Sequence, residues 1–119
     1  MTRRKRLVVL PDTMTDRETY RRKARIIKAM GHPGRLMMID ALVEGEKCVC
    51  ELQEIVGSDM STASEHLSVL RNAGLVNNRK QGLNVFYSLR VPCIVNFFGC
   101  VEAVMDQPPE TAETCSLVK

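Results

Sequence analysis

Hydrophobic residues recur at helical spacing through the first third of the chain, and this pattern predicts two consecutive helices. The first helix follows the capping-box sequence Thr15–Glu18 and ends near Gly31, whereas the second begins at Pro33 and ends at Gly45. The predicted apolar stripes comprise Ile26, Ile27 and Met30 in the first helix and Leu36, Ile39, Leu42 and Val43 in the second.

The next segment has the pattern of a helix-turn-helix. A short helix is predicted over residues 51–56, a break over residues 57–58 and a longer helix over residues 60–72. Asp59 is the predicted N-cap of the longer helix, because its carboxylate can accept from the amides near Ser61 and Thr62. Gly74 then closes this helix.

Two β-prone runs follow, over residues 75–80 and 85–89, separated by the Gly-containing loop Gln81–Asn84. They predict a hairpin wing. Arg79 and Lys80 lie beside its predicted tip, where a wing would contact phosphate or enter a minor groove.

Pro92 opens a last predicted helix that runs to about Asp106. Its apolar positions are Ile94, Phe97, Phe98, Val101, Val104 and Met105. A stripe of this kind needs a partner surface, either the core of the same domain or the same helix of a second copy. The fold class predicted is therefore mainly α with a β-hairpin wing, a winged helix-turn-helix that dimerises through terminal helices.

The domain organisation predicted is one winged helix-turn-helix over residues 15–106. A basic tail, residues 1–14, precedes it with the run Arg3–Arg6, and a flexible tail, residues 107–119, follows it. A chain of 119 residues with 45% hydrophobic residues has material for one core. Aromatic residues make up 4% and Trp is missing, which favours packed helices over an all-β domain.

A net charge of +3 favours polyanionic partners such as DNA. No apolar stretch has the length of a membrane span, so we expect no membrane partner and a cytoplasmic location. In that reducing compartment the five cysteines are expected to be thiols, metal ligands or redox sensors rather than a disulfide framework.

Cys48 and Cys50 place two thiols one residue apart where a helix begins. Residues i and i+2 lie about 200° apart around a regular helix, so the two thiols can share one ion only where the backbone is extended or unwound. The amides of the helix start and the charge of Lys47 are expected to lower the thiol pKa, with Glu46 and Glu51 opposing them. The pair is a candidate site for a soft, thiophilic ion.

A soft ion that takes three thiolates would need a third one beside Cys48 and Cys50, and it would have to come from Cys93, Cys100 or Cys115. Cys93 and Cys100 are about 10 Å apart along the last helix, so one ion is not expected to be held by both. As the third ligand we expect Cys100 first and Cys93 second. Cys115 is expected last, because ordering the tail that carries it costs entropy. For Cys100 the competing interpretation is packing in the core, since free cysteines are often buried.

The longer helix of the helix-turn-helix carries short hydroxyl side chains on its predicted solvent side, as a major-groove reader requires. Ala63, Leu67, Val69 and Leu70 are predicted to face inward. His66 is expected to contact phosphate or a neighbouring turn, and Glu65 to accept from a cytosine amino group. The full set of predicted DNA contacts is Ser61, Thr62, Ser64, Glu65, His66, Ser68, Arg71, Arg79 and Lys80.

Several ordered motifs between Ala29 and Leu89 resemble the ArsR/SmtB family of winged-helix repressors. The motifs are Met30–Leu36, Glu46–Leu52, Ser64–Leu70, Ala73–Val76 and Gly82–Tyr87. Within the first of them, His32 is the expected cap residue before Pro33. The resemblance implies a homodimer that releases operator DNA when it binds a metal or metalloid. The Cys-Val-Cys element is similar to that of the arsenic- and antimony-sensing branch, and a related branch reads cadmium and lead. This chain departs from the family pattern at Gln53, where a third cysteine often stands, and at Glu65, where Arg is common.

Other classes of protein fit less well or lead to different ligands. A thiol reductase would need a Cys-x-x-Cys pair, and a structural zinc site would need four spaced ligands, neither of which occurs. A repressor that senses oxidants or persulfides through Cys48 or Cys50 with Cys115 stays open, as does a Cd(II) or Pb(II) sensor. The function expected is a non-enzymatic repressor that leaves its operator when As(III) or Sb(III) binds cysteine thiolates.

Overall fold

The computed structural model describes residues 16–107 of the chain. Within that range the chain folds into five α-helices, one 3₁₀ turn and three short strands. In chain order these are α1 Asp16–Met30, α2 Pro33–Leu42, β1 Lys47–Cys48, α3 Val49–Val56, α4 Met60–Asn72, β2 Val76–Gln81, β3 Asn84–Leu89, the 3₁₀ turn Pro92–Ile94 and α5 Val95–Met105. The winged helix-turn-helix predicted from the sequence is confirmed.

Two helix starts differ from the prediction. Helix α3 begins at Val49 rather than Glu51, because Cys48 serves as its N-cap residue. The last helix opens with the 3₁₀ turn Pro92–Ile94, in which the amide of Ile94 donates to the carbonyl of Val91 at 3.1 Å. Such tight turns are common where a helix begins, and they place Cys93 outside the regular helix.

The core lies where α2, α3 and α4 meet the sheet. Its fully buried large side chains are Met38, Ile39, Leu52, Leu67, Leu70 and Val76. The stripe predicted for α2 is only half inside, since Leu36 is 39% and Val43 51% exposed. The reason is that α3 and α4 cover one side of α2, and Leu36 instead lines a groove toward α5.

The three strands form an antiparallel sheet in the order β1-β3-β2. The wing hairpin is tighter than predicted, because β2 and β3 are joined by Gly82 and Leu83 alone, with φ +63° at Gly82. Strand β1 was not predicted. It pairs Lys47 with Tyr87 and Cys48 with Phe86, so the cysteine segment is an edge strand of the wing sheet.

Helix α5 packs loosely on the rest of the chain, and none of its residues is buried. Its apolar side chains and those of α1 and α2 line an open groove of about 350 Å³, which includes Ile27, Met30, Leu36, Phe97, Val101 and Met105. Ile94 and Phe98 of the predicted stripe pack partly against the core, whereas its other members, Phe97, Val101, Val104 and Met105, are exposed in the single chain. None of the helices in residues 16–107 is long and apolar enough to cross a membrane.

The capping residue Thr15, Cys115 and the predicted tails, apart from Gln107, fall outside the described residues. The domain limits and the cytoplasmic location stay predictions.

Candidate functional site

The two thiols of the Cys-Val-Cys element lie side by side at the mouth of α3. Cys48 is the N-cap, with extended backbone angles of φ −83° and ψ 164°, and Cys50 belongs to the first turn. This combination brings the two Sγ atoms to 2.8 Å of each other. The requirement for an extended backbone is met, and the paired sulfurs form a donor set that suits soft ions.

Glu51 holds this geometry in place. Its carboxylate Oε1 accepts a hydrogen bond from the backbone amide of Cys48 at 2.9 Å, which satisfies a free amide of the helix start. That contact lowers the pKa of Glu51 below its usual value. Glu51 therefore acts as a cap for the thiol segment, a role that the sequence analysis did not assign to it.

The expectation of a lowered thiol pKa is wrong for Cys50. Its contact with the Cys48 sulfur and the loss of solvent raise the pKa of Cys50, and the amides of Cys50 and Glu51 only partly oppose this. The physical reason is that two adjacent sulfurs favour a shared proton over a second negative charge. The raised pKa favours the thiol form of Cys50 before a ligand binds.

Neither Cys93 nor Cys100 joins this pair within one chain. Both are exposed, Cys93 on the 3₁₀ turn and Cys100 on α5. Residues 16–107 contain no group of three or more His, Cys, Asp or Glu side chains placed to hold a metal ion. The interpretation of Cys100 as a core residue is also wrong for the single chain, because Cys100 is exposed.

Helix α4 presents the polar face predicted for a DNA-reading helix. Asp59 caps it by accepting from the amide of Thr62 at 2.7 Å, and this contact lowers the pKa of Asp59. Gln53 donates to the carbonyl of Ser58 at 3.1 Å and so fixes the turn before α4. Ser61, Ser64, Glu65, Ser68 and Arg71 are exposed, Thr62 and Val69 are half-buried, and Ala63, Leu67 and Leu70 are buried.

His66, also predicted to contact DNA, is only 8% exposed. Its Nδ1 accepts from Arg35 Nε at 3.2 Å, and its ring lies 4.3 Å from that of His32. Burial and the neighbouring His32 and Arg35 lower the pKa of His66. The expected contact with a neighbouring turn is present, because His66 meets Arg35 and His32 at the start of α2, and its contact with phosphate stays a prediction. His32 caps α2 as predicted, accepting from the amide of Gly34 at 2.9 Å.

Arg79, predicted to contact DNA beside the wing tip, is paired within the chain while its side chain stays 51% exposed, and its contact with DNA stays a prediction. It lies within β2, and its Nε and Nη2 donate to the two carboxylate oxygens of Glu46, each at 2.7 Å. Lys80, the next residue, is exposed on the same strand. The sequence carried no signal for the pairing with Glu46, because the two residues are 33 positions apart.

Comparison with known proteins gives the family. The family described as "Bacterial regulatory protein, arsR family" matches residues 32–78. An uncharacterized HTH-type transcriptional regulator of Methanocaldococcus jannaschii, MJ1325, is 42% identical over 71 residues, which cover 59% of this chain and 80% of the relative. A cadmium resistance regulatory protein CadC homolog of Staphylococcus aureus is 42% identical over 67 residues, covering 56% of this chain and 55% of that protein.

Solved structures agree with this fold. NolR from Sinorhizobium fredii superposes with a TM-score of 0.69 at 30% identity and covers 81% of this chain and 96% of its own. A homodimeric winged helix-turn-helix DNA-binding domain from Mycobacterium bovis gives 0.66 at 30% identity, over 81% of this chain and 91% of that one. A possible transcriptional regulator for arsenical resistance gives 0.55 at 26% identity, covering 70% and 85%.

The fold and the matched relatives define a DNA-binding transcriptional regulator of the winged helix-turn-helix class, not an enzyme. The chain belongs to the ArsR family of bacterial regulatory proteins.

Proposed function

We propose that this chain is a homodimeric repressor that leaves its operator when As(III) or Sb(III) binds Cys48 and Cys50. The observation that carries the proposal is the 2.8 Å approach of the two sulfurs at the N-terminus of α3. Thiolates are the ligands that soft ions prefer. Similarity to a possible regulator for arsenical resistance supports the same ligand class.

The thiol pair is well placed to influence DNA binding. It begins α3, the first helix of the helix-turn-helix, and β1, the strand that carries Cys48, pairs with the wing. The exposed face of α4 would read base edges in the major groove, with two copies matching half-sites about one helical turn apart. A backbone change at residues 48–50 would therefore alter the segment that connects the helix-turn-helix to the wing, the two elements expected to face DNA.

As(III) and Sb(III) take three thiolates in our proposal, and the third is not in the local cluster. Cys100 and Cys93 are exposed. Either could bind the ion held by Cys48 and Cys50, in the same chain after a movement of the last helix or from the second copy in a dimer. Cys115 is the remaining protein thiol.

Serine substitution tests the proposal. Cys48→Ser and Cys50→Ser should bind the operator as the wild type does, and arsenite should release the wild type but neither variant. A hydroxyl is a far weaker ligand for a soft ion than a thiolate, so the arsenite needed should rise by about tenfold or more. Fluorescence anisotropy of labelled operator measures this. Release of either variant at the arsenite level that releases the wild type would exclude the pair as the sensor.

Two alternative classes of inducer, soft divalent metal ions and oxidants or sulfide, would use the same thiols. The name of the CadC homolog favours Cd(II), with Pb(II) as a further soft ion, and titration of the reduced protein with each ion distinguishes them from As(III). The short separation of the two sulfurs also favours their oxidation to a disulfide. In that reaction peroxide takes two electrons and two protons from the thiols, and one Cys48–Cys50 disulfide and two waters form. Intact mass after peroxide or sulfide treatment identifies that chemistry.

A further inference from the structure

One ion pair joins the thiol-bearing strand to the far strand of the wing. Glu46 stands immediately before β1, and it accepts from both Nε and Nη2 of Arg79 on β2 at 2.7 Å. Strand β3 lies between β1 and β2, so the pair spans the whole sheet. Two parallel hydrogen bonds fix the relative orientation of both side chains, which a single contact does not.

The ring of Phe86 on β3 also contacts the guanidinium of Arg79. The guanidinium carbon of Arg79 lies 4.9 Å from the centre of that ring, within the range of a cation–π contact. Phe86 is directly opposite Arg79 on one side and Cys48 on the other. Directly opposite residues project to the same face, so Cys48, Phe86 and Arg79 form one row across the sheet.

Both members of the pair are ionised at neutral pH. The hydrogen bonds from Arg79 lower the pKa of Glu46, and those from Glu46 raise the pKa of Arg79. The charge of Arg79 is consequently neutralised by Glu46 in the free protein. Loss of the pair would leave the guanidinium, which also donates from Nη1 to Gln81 Oε1, without a neighbouring negative charge on the strand that carries Lys80.

We propose that Glu46 is a positioning residue that transmits ligand binding at Cys48 and Cys50 to the wing. The Glu46–Arg79 pair holds β2 to the segment that carries Cys48. A change of backbone at β1, as the two thiols close on a ligand, therefore moves Arg79 together with β1 and tilts the wing relative to α4. This inference rests on the proposed function of the thiol pair and adds the route by which the DNA-facing wing responds.

The test uses phenylarsine oxide, whose arsenic already carries one carbon and so takes up two thiolates, releasing its oxygen as water. Glu46→Gln removes the charge and leaves the cysteines intact. This variant should bind the reagent as the wild type does, measured by loss of titratable thiols. We compare the operator Kd with the reagent to the operator Kd without it. This ratio should be about threefold or more smaller in Glu46→Gln than in the wild type, which is the size of effect expected from losing a well-ordered exposed ion pair.

Glu54→Gln on α3 is the matched control, since it removes the charge of another exposed carboxylate. Its ratio should equal that of the wild type. The exchanged pair Glu46→Arg with Arg79→Glu should restore the ratio, because it rebuilds the contact with the charges reversed. Hydrogen exchange of the β2 amides, measured without DNA, should respond to the reagent in the wild type and in Glu54→Gln but not in Glu46→Gln.

A Glu46→Gln protein that keeps both the wild-type ratio and the wild-type exchange response overturns the inference and leaves the thiol sensor standing. A wild type that binds no phenylarsine oxide, or stays on its operator when it does, overturns the proposed function and the inference together. Thiol titration and operator release are measured separately, so the two failures are distinguished.

Discussion

At the scale of single residues, the sequence predicted that Cys48 and Cys50 lie together where a helix begins, but it gave the wrong direction for the pKa of Cys50. The Cys-x-Cys spacing and the need for extended backbone were readable, because they follow from helix geometry. The raised pKa of Cys50 depends on a 2.8 Å sulfur contact, which no spacing rule predicts. The same holds for His66, whose burial results from the packing of α4 against α2.

His66 leads to a prediction about stability and pH. Its folded pKa lies below the ordinary value of 6.5, so the unfolded chain binds more protons there than the folded chain. The contribution of His66 is therefore fully present above pH 6.5 and is lost as the pH falls from there through the folded pKa. Urea unfolding between pH 5 and pH 8, at points about half a unit apart, measures it.

His66→Gln is the control for that series, since an amide oxygen can still accept from Arg35 but does not titrate. The drop in unfolding free energy below pH 6.5 should be smaller in this variant. An identical drop in both proteins would show that the acid sensitivity does not come from His66.

At the scale of elements, the strongly periodic segments were predictable and the long-range pairings were not. Helix α4 and its Asp59 cap follow from a local pattern of turn, carboxylate and apolar spacing. Strand β1 has two residues and no periodicity of its own, and it exists because β3 pairs with it. The Glu46–Arg79 contact depends on that pairing, so it was equally invisible in the sequence.

Helix α4 should tolerate small changes on its polar face but not added charge. Ser64→Glu places a carboxylate on an exposed position where the operator would lie, so operator affinity should fall by about tenfold or more. Ser64→Ala, the matched control, should stay much closer to the wild type. Anisotropy titrations at fixed salt give both values, and thermal unfolding checks that each variant is folded. Wild-type affinity in Ser64→Glu would remove α4 from the DNA interface.

At the scale of the whole molecule, α5 leaves an apolar face that the single chain does not cover. Phe97 and Val101 are each 42% exposed, and both line the groove shared with α1 and α2. The apolar stripe was predictable from spacing, whereas its exposure required the packing of the other helices. A second copy would cover this face, which fits the homodimeric state of the related Mycobacterium bovis domain.

Phe97→Glu and Val101→Glu should each convert the dimer to monomer, because an unpaired carboxylate would be buried at the interface. Light scattering at several protein concentrations measures the mass. Leu83→Glu at the fully exposed wing turn is the control and should remain dimeric. Dimers of unchanged affinity in both α5 variants would place the interface elsewhere.

The central claim is that Cys48 and Cys50 hold the inducer, and X-ray absorption at the arsenic edge of the arsenite complex tests it most directly. The account predicts three sulfur neighbours in the reduced wild type and the loss of one in Cys48→Ser and in Cys50→Ser. One of Cys100→Ser, Cys93→Ser and Cys115→Ser should also lose a sulfur, with Cys100 the first expected. A shell of oxygen alone in the wild type, or three sulfurs in both Cys48→Ser and Cys50→Ser, would contradict the account.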